Sequence, residues 1–212
     1  MSRQLEKKKK FDERYTDFLL KKHNANVSSN KIVYIHIPKC AGNAIKNAIG
    51  GFEGHSHLPA SGIPEFAFKN FKSASFVRNP YDRCVSAYFY LLTGGDGGKQ
   101  DMYDKTKYIS KYANFEDFVI NGLDKASVEQ QHFFHQYRFL DREIDFIGKY
   151  ERLYEDFFKL CKDFKIKHKN IKNKNKFSLR NYTPLYSNKM LQKIQEIYQE
   201  DFERFQYNNI LS

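Results

Sequence analysis

The chain has 212 residues, 41% hydrophobic and 17% aromatic, with 36 Lys and Arg against 25 Asp and Glu for a formal charge of +11. That length suits one domain or a domain with a small appendage, and 20 Phe and 15 Tyr exclude wholesale disorder. The charge surplus favours phosphorylated or polyanionic partners. No run approaches the roughly 18 apolar residues of a membrane-spanning helix, and the first eleven residues form a charged segment, not an apolar signal core. Cys40, Cys84 and Cys161 are odd in number and lack paired spacing, which argues against a disulfide framework and for a reducing compartment.

Residues 1–30 read as a charged helical extension, with Leu5, Phe11, Phe18 and Leu19 as docking positions and a polar connector from Asn24. From residue 31 to 212 the pattern is that of one α/β domain. A β-branched and aromatic strand over residues 31–37 stops at Pro38, and a glycine-containing turn leads into a short helix over about 43–49. A second strand over 73–77 is followed by Asn79, Pro80 and a helix carrying Tyr81, Val85, Tyr88, Phe89 and Leu92 on one face. Residues 93–107 read as a Gly- and Asp-rich loop. Its Gly94 to Lys99 stretch follows a helix and lacks Ser or Thr after the lysine, so it reads as flexible chain and not as a phosphate loop. Helices are expected over 115–121 and 125–139, a third strand over 144–148, and a further helix over 153–164. The six lysines of residues 165–176 suggest a basic surface loop. A last helix over 187–206, capped by Ser187, sets Met190, Leu191, Ile194, Ile197, Tyr198, Phe202 and Phe205 on one face. Strands alternating with helices predict a single P-loop-like domain with a central, mainly parallel sheet flanked by helices.

Two turns carry the chemistry. In Ile37-Pro38-Lys39-Cys40-Ala41-Gly42-Asn43-Ala44 a strand feeds a helix start, where backbone N–H groups and a lysine favour an anion. The Walker arrangement of Gly, four residues, Gly, Lys, then Ser or Thr is missing. At the next strand exit stand Arg78 and, two turns into the helix, Ser86, able to hold a second phosphate; Arg83 serves that end or braces the fold. Two such turns on adjacent strands suit a ligand with two separated phosphate groups at the carboxyl edge of the sheet.

These segments resemble the phosphosulfate loop and the 3′-phosphate-binding strand and helix of sulfotransferases that use 3′-phosphoadenosine 5′-phosphosulfate (PAPS), especially the carbohydrate and heparan-type branch. Gln131, residues 144–151 with Asp156-Phe157, and the ending at residues 198–207 look like later landmarks of that family, so the resemblance runs in order over roughly residues 31–207. Family loops usually carry hydroxyl residues where this one has Asn43 and Ala44. The resemblance implies that Lys39 contacts the phosphosulfate and stabilises the leaving phosphate, that Pro38, Cys40, Ala41, Gly42, Asn43 and Ala44 complete the loop, and that Arg78 and Ser86 hold the 3′-phosphate. Arg180 is a further candidate contact to the nucleotide.

Between the two turns the resemblance expects a histidine base for the acceptor hydroxyl, and His57 and His55 are the candidates, with His57 the closer fit and Glu53 a fallback. The implied reaction is in-line sulfuryl transfer from PAPS as co-substrate to a hydroxyl-bearing acceptor, a glycan in this reading. It demands no metal and no nucleic acid, and His132 and His135 lack companions for a metal site. A cytoplasmic setting is expected. The competing readings are a nucleotide-dependent kinase, disfavoured by the missing Walker residues, and a non-catalytic nucleic-acid-binding protein using the +11 charge.

Overall fold

A computed structural model describes residues 32–50, 57–171 and 185–208. In chain order the elements are β1 (Ile32–Ile35), α1 (Gly42–Ala48), α2 (Glu65–Asn70), β2 (Lys72–Val77), α3 (Pro80–Leu92), α4 (Lys99–Asp104), α5 (Phe115–Asn121), α6 (Leu123–Glu129), β3 (Phe146–Lys149), α7 (Leu153–Asp163), α8 (Asn188–Ile197) and α9 (Gln199–Arg204). The described chain divides into two compact units. The first holds residues 32–37, 41–50, 57–77 and 139–171, and the second holds 38–40, 78–138 and 185–208. The expected extension over residues 1–30 and the lysine-rich stretch beyond residue 171 lie outside the described residues.

The first unit is built on three parallel strands in the order β1-β2-β3, with Ile32 opposite Lys72 and Ala74 opposite Phe146. β1 is buried along its whole length, which explains its continuous apolar sequence, and β2 is buried everywhere but at Lys72, with the Ser75 hydroxyl donating to the Ile35 carbonyl at 2.8 Å. Parallel neighbours need crossovers, supplied here by helices. Asp145 fixes the start of β3 by accepting from the Ser73 N–H at 2.9 Å and the Ser73 hydroxyl at 2.8 Å. That side chain leaves the third strand beginning at Phe146, two residues later than its apolar pattern suggested. α7 packs on β3 and buries Leu153, Phe157 and Leu160.

The second unit is helical around a core that includes Tyr81, Tyr88, Leu91, Phe118, Phe133, Met190, Ile194, Tyr198 and Phe202. Among the described residues no helix is long and apolar enough to cross a membrane. Residues 93–107, expected as a loop, contain α4 and the start of a π-helical turn, Lys105–Ile109, because Tyr108 and Ile109 anchor the segment in the core. The helix expected over 125–139 stops at Glu129. The Gln130 side chain takes the His132 N–H at 2.6 Å, and Asp201 accepts from the N–H groups of Gln136 and Tyr137 at 2.8 and 2.9 Å, so side chains replace the carbonyls a helix would use. The final helix breaks at Tyr198, whose hydroxyl donates to the Phe133 carbonyl at 2.6 Å.

Candidate active site

In the second unit, the short stretch of residues 38–40 is held by two buried arginines. Arg83 donates through Nε to the Pro38 carbonyl at 3.0 Å and through Nη1 to the Phe134 carbonyl at 2.7 Å, bracing the stretch through backbone carbonyls. Arg78, 3% exposed, donates through Nη1 to the Lys39 carbonyl at 3.1 Å. With two successive carbonyl oxygens engaged by guanidinium groups, the negative ends of those peptide dipoles no longer oppose an anion. The peptide groups of Arg78 are bracketed by the fully buried Gln136, whose Oε1 accepts from the Arg78 N–H and whose Nε2 donates to the Arg78 carbonyl, both at 2.8 Å. The Cys40 thiol also donates to Gln136 Oε1, at 3.4 Å.

Lys39 has a left-handed backbone, φ 69°, an uncommon conformation for a residue with a Cβ. Its ammonium lies 3.9 Å from the centroid of the Tyr90 ring and makes no hydrogen bond or ion pair with a described residue. Burial pulls its pKa down to about 8, the Arg78 charge lowers it further within that figure, and Asp96, Cys40 and Asp101 pull the other way. Tyr90 donates its hydroxyl to Asp101 Oδ2 at 3.0 Å, and the Asp96 N–H donates to the same oxygen at 2.9 Å. Ser86 sits one turn before Tyr90 on α3, on the same partly buried face, its hydroxyl making no hydrogen bond to a described residue.

In the first unit, α1 opens at Ala41, left-handed with φ 64° and without a side-chain oxygen to cap the first turn. The N–H groups of Ala44 and Ile45 both turn back to the Ala41 carbonyl, at 2.9 and 3.1 Å, so the Gly42 and Asn43 amides lead the helix. Gly42 is required by packing: a Cβ there would overlap the ring of the buried His36. His57 Nδ1 lies 2.9 Å from the His36 carbonyl oxygen, and the two rings are 4.4 Å apart. Since a carbonyl only accepts, Nδ1 carries the proton, and Nε2 is the basic nitrogen of the neutral ring.

The second unit therefore brings Lys39 to Arg78, and the shared face of α3 places Ser86 one turn from the ring under Lys39. The first unit holds Gly42, Asn43, Ala44 and His57. His55, Glu53 and Arg180 lie outside the described residues. Four residues escaped the sequence reading: His36, Tyr90, Asp101 and Gln136. His36 carries a signal, as a polar ring in an otherwise apolar strand end, and Gln136 was overlooked in favour of Gln131. His132 is buried against Gln130 in a non-helical turn, and no cluster of three or more potential metal ligands occurs among the described residues. The three cysteines are buried and unbridged, with the Cys84 thiol pushed up to about 12 by burial.

Comparison with curated proteins returns no match. The family model described as "Sulfotransferase family" matches residues 24–208, most of the chain. The protein belongs to the sulfotransferase family, and its chemistry is sulfuryl transfer to an acceptor.

Proposed function

We propose that the chain moves a sulfuryl group from PAPS to a hydroxyl of a carbohydrate. The observation that carries this reading is the Lys39 ammonium, mostly buried and without a hydrogen-bonding partner among the described residues, beside a guanidinium anchored on the backbone of the same lysine. An ammonium taken from water without replacement hydrogen bonds is costly, and a ligand oxygen with negative charge offsets that cost directly. Asp101 does not fill the role: its Oδ2 accepts from Tyr90 and the Asp96 N–H, and it makes no hydrogen bond or ion pair with Lys39.

The donor set thus fits a doubly anionic nucleotide. In this reading Lys39 and the loop residues Pro38, Cys40, Ala41, Gly42, Asn43 and Ala44 hold its phosphosulfate end, while Arg78 and Ser86 hold the 3′-phosphate. PAPS supplies, when bound, a sulfuryl group on a phosphate that departs as a stabilised anion. Lys39 places a positive charge where negative charge grows and lowers the barrier to the extent that the contact tightens in the transition state. His57 accepts the acceptor hydroxyl's proton at Nε2, with the His36 carbonyl fixing the tautomer through Nδ1. A carbohydrate acceptor is supported by the likeness of both turns to the carbohydrate and heparan-type branch.

The test is transfer of radiolabelled sulfuryl groups from PAPS to a panel of glycans and small alcohols, run beside thermal-shift titrations with adenosine 3′,5′-bisphosphate, ATP and an oligonucleotide. Label on a glycan and a shift with the bisphosphate alone are expected. A shift with ATP alone, or binding that vanishes with salt whatever the nucleotide, would overturn the proposal.

A further inference from the structure

We propose that Tyr90, locked by Asp101 and the glycine turn between α3 and α4, is a positioning residue for Lys39, its ring being the shelf that aims the ammonium. The inference rests on the reading of Lys39 as the cation that meets the donor. A lysine side chain has four rotatable bonds and loses roughly 1.5–2 kcal/mol of rotamer freedom when fixed, so an ammonium without hydrogen bonds needs another surface to hold it. The Tyr90 ring at 3.9 Å is that surface, and the face of an aromatic ring attracts a cation.

The ring is itself held by hydrogen bonding and by packing. Its hydroxyl donates to Asp101 at 3.0 Å, and the ring lies 5.0 Å from that of His132, which Gln130 Nε2 contacts at 2.9 Å through Nδ1. Asp101 is fixed in turn by the glycine stretch. Gly95 has φ 61°, and a Cβ there would overlap the Asp101 side chain, while the next residue, Asp96, donates its N–H to the same carboxylate. Gly94 and Gly97 are left-handed as well. The segment read from sequence as flexible chain is the mount of the shelf.

The charges around Lys39 make the arrangement measurable. Arg78 repels the ammonium; Asp96, Asp101 and Cys40 favour its charged form; and burial opposes it. With the pKa near 8, loss of the Asp101 charge, or of the ring face that attracts the cation, lowers the charged fraction from neutral pH upward.

The probe is adenosine 3′,5′-bisphosphate, with affinity measured by calorimetry from pH 6.5 to 9.5 on the full chain. Wild-type affinity is expected to fall above about pH 8, and Lys39→Ala is expected to bind weakly without that fall. Tyr90→Leu and Asp101→Asn should each move the fall to lower pH by about half a unit or more, whereas Tyr90→Phe, which keeps the ring, should stay nearer to wild type. Asp101→Asn retains an oxygen for both donors and checks the charge if Tyr90→Leu does not fold. A fall unmoved in Asp101→Asn and in whichever Tyr90 variant folds overturns the positioning role. A wild-type profile with no fall, matched by Lys39→Ala, overturns the reading of Lys39 instead, so the two failures are distinct.

Discussion

Arg78 Nη1 donates to the carbonyl oxygen of Lys39 at 3.1 Å, so the residue expected to hold one phosphate also fixes the backbone of the residue expected to hold the other. A guanidinium suits both tasks because it presents five N–H groups in a rigid fork, a geometry an ammonium lacks. The two positions are thereby mechanically linked within one unit.

That linkage sets different outcomes for substitutions at the two positions. Lys39→Ala removes a side chain that makes no hydrogen bond to a described residue, so it should weaken bisphosphate binding about tenfold or more while leaving the fold intact. Arg78→Lys keeps the charge and loses the fork, so affinity and melting temperature should fall together. Calorimetric titration and thermal denaturation read the two effects separately, and equal affinity in wild type and both variants would refute the assignment.

Lys39 also carries a cost to folding, whose sign can be worked out. Its folded pKa, about 8, lies below the unfolded value near 10.5, so below pH 8 the fold holds a charge that burial disfavours, and the penalty fades as pH rises from 8 to 10.5. Lys39→Met, similar in length and uncharged, should raise the melting temperature at pH 7, with the gain shrinking toward zero near pH 10.5. A variant less stable than wild type at pH 7 would contradict this.

His57 is expected to behave as a base and not as a binding residue. His57→Ala should lower turnover by roughly 10² to 10⁴, the usual range for a general base, with bisphosphate affinity unchanged. Gly42→Ala probes the same place from behind, because the new methyl group would meet the His36 ring, whose backbone carbonyl orients His57. It should lower turnover as well, and a Gly42→Ala enzyme with wild-type turnover would show that this packing does not govern the base.

The parts of the fold legible in sequence were those governed by short-range pattern. β1 is a buried run of β-branched and aromatic residues, β2 ends in Phe76 and Val77, and α3 opens where Asn79 caps and Pro80 fills the first position, so both turns stood out. Lys39 and Arg78 were singled out by their place at those turns, and His57 by the family resemblance, which expects a histidine between them. Tyr90 and Asp101 did not, because Tyr90 reads as one more aromatic on an amphipathic helix and Asp101 as one acid after several glycines; their meaning depends on the left-handed turn that folds between them. Gln136 was hidden inside an apparent helix that Gln130 and Asp201 break with side-chain hydrogen bonds.

Gln136 provides the sharpest test of how the arginine is held. It satisfies both the N–H and the C=O of Arg78 from a fully buried position, and Asp201 holds its own N–H. Gln136→Leu keeps the bulk but strands the two Arg78 peptide groups, and a buried group left unsatisfied costs about 1–3 kcal/mol. Urea unfolding should therefore show a loss of about 2 kcal/mol or more at unchanged slope. Because the guanidinium extends from the same backbone, bisphosphate affinity should fall although Gln136 contributes no charge. Gln136→Glu separates the two effects: protonated, its carboxyl accepts from the Arg78 N–H and donates to the Arg78 carbonyl, so stability should lie nearer to wild type at acid pH and fall as pH rises and ionisation of the buried group is resisted. Equal stability in wild type and Gln136→Leu would mean that the Arg78 peptide finds other partners and that Gln136 does not position the arginine.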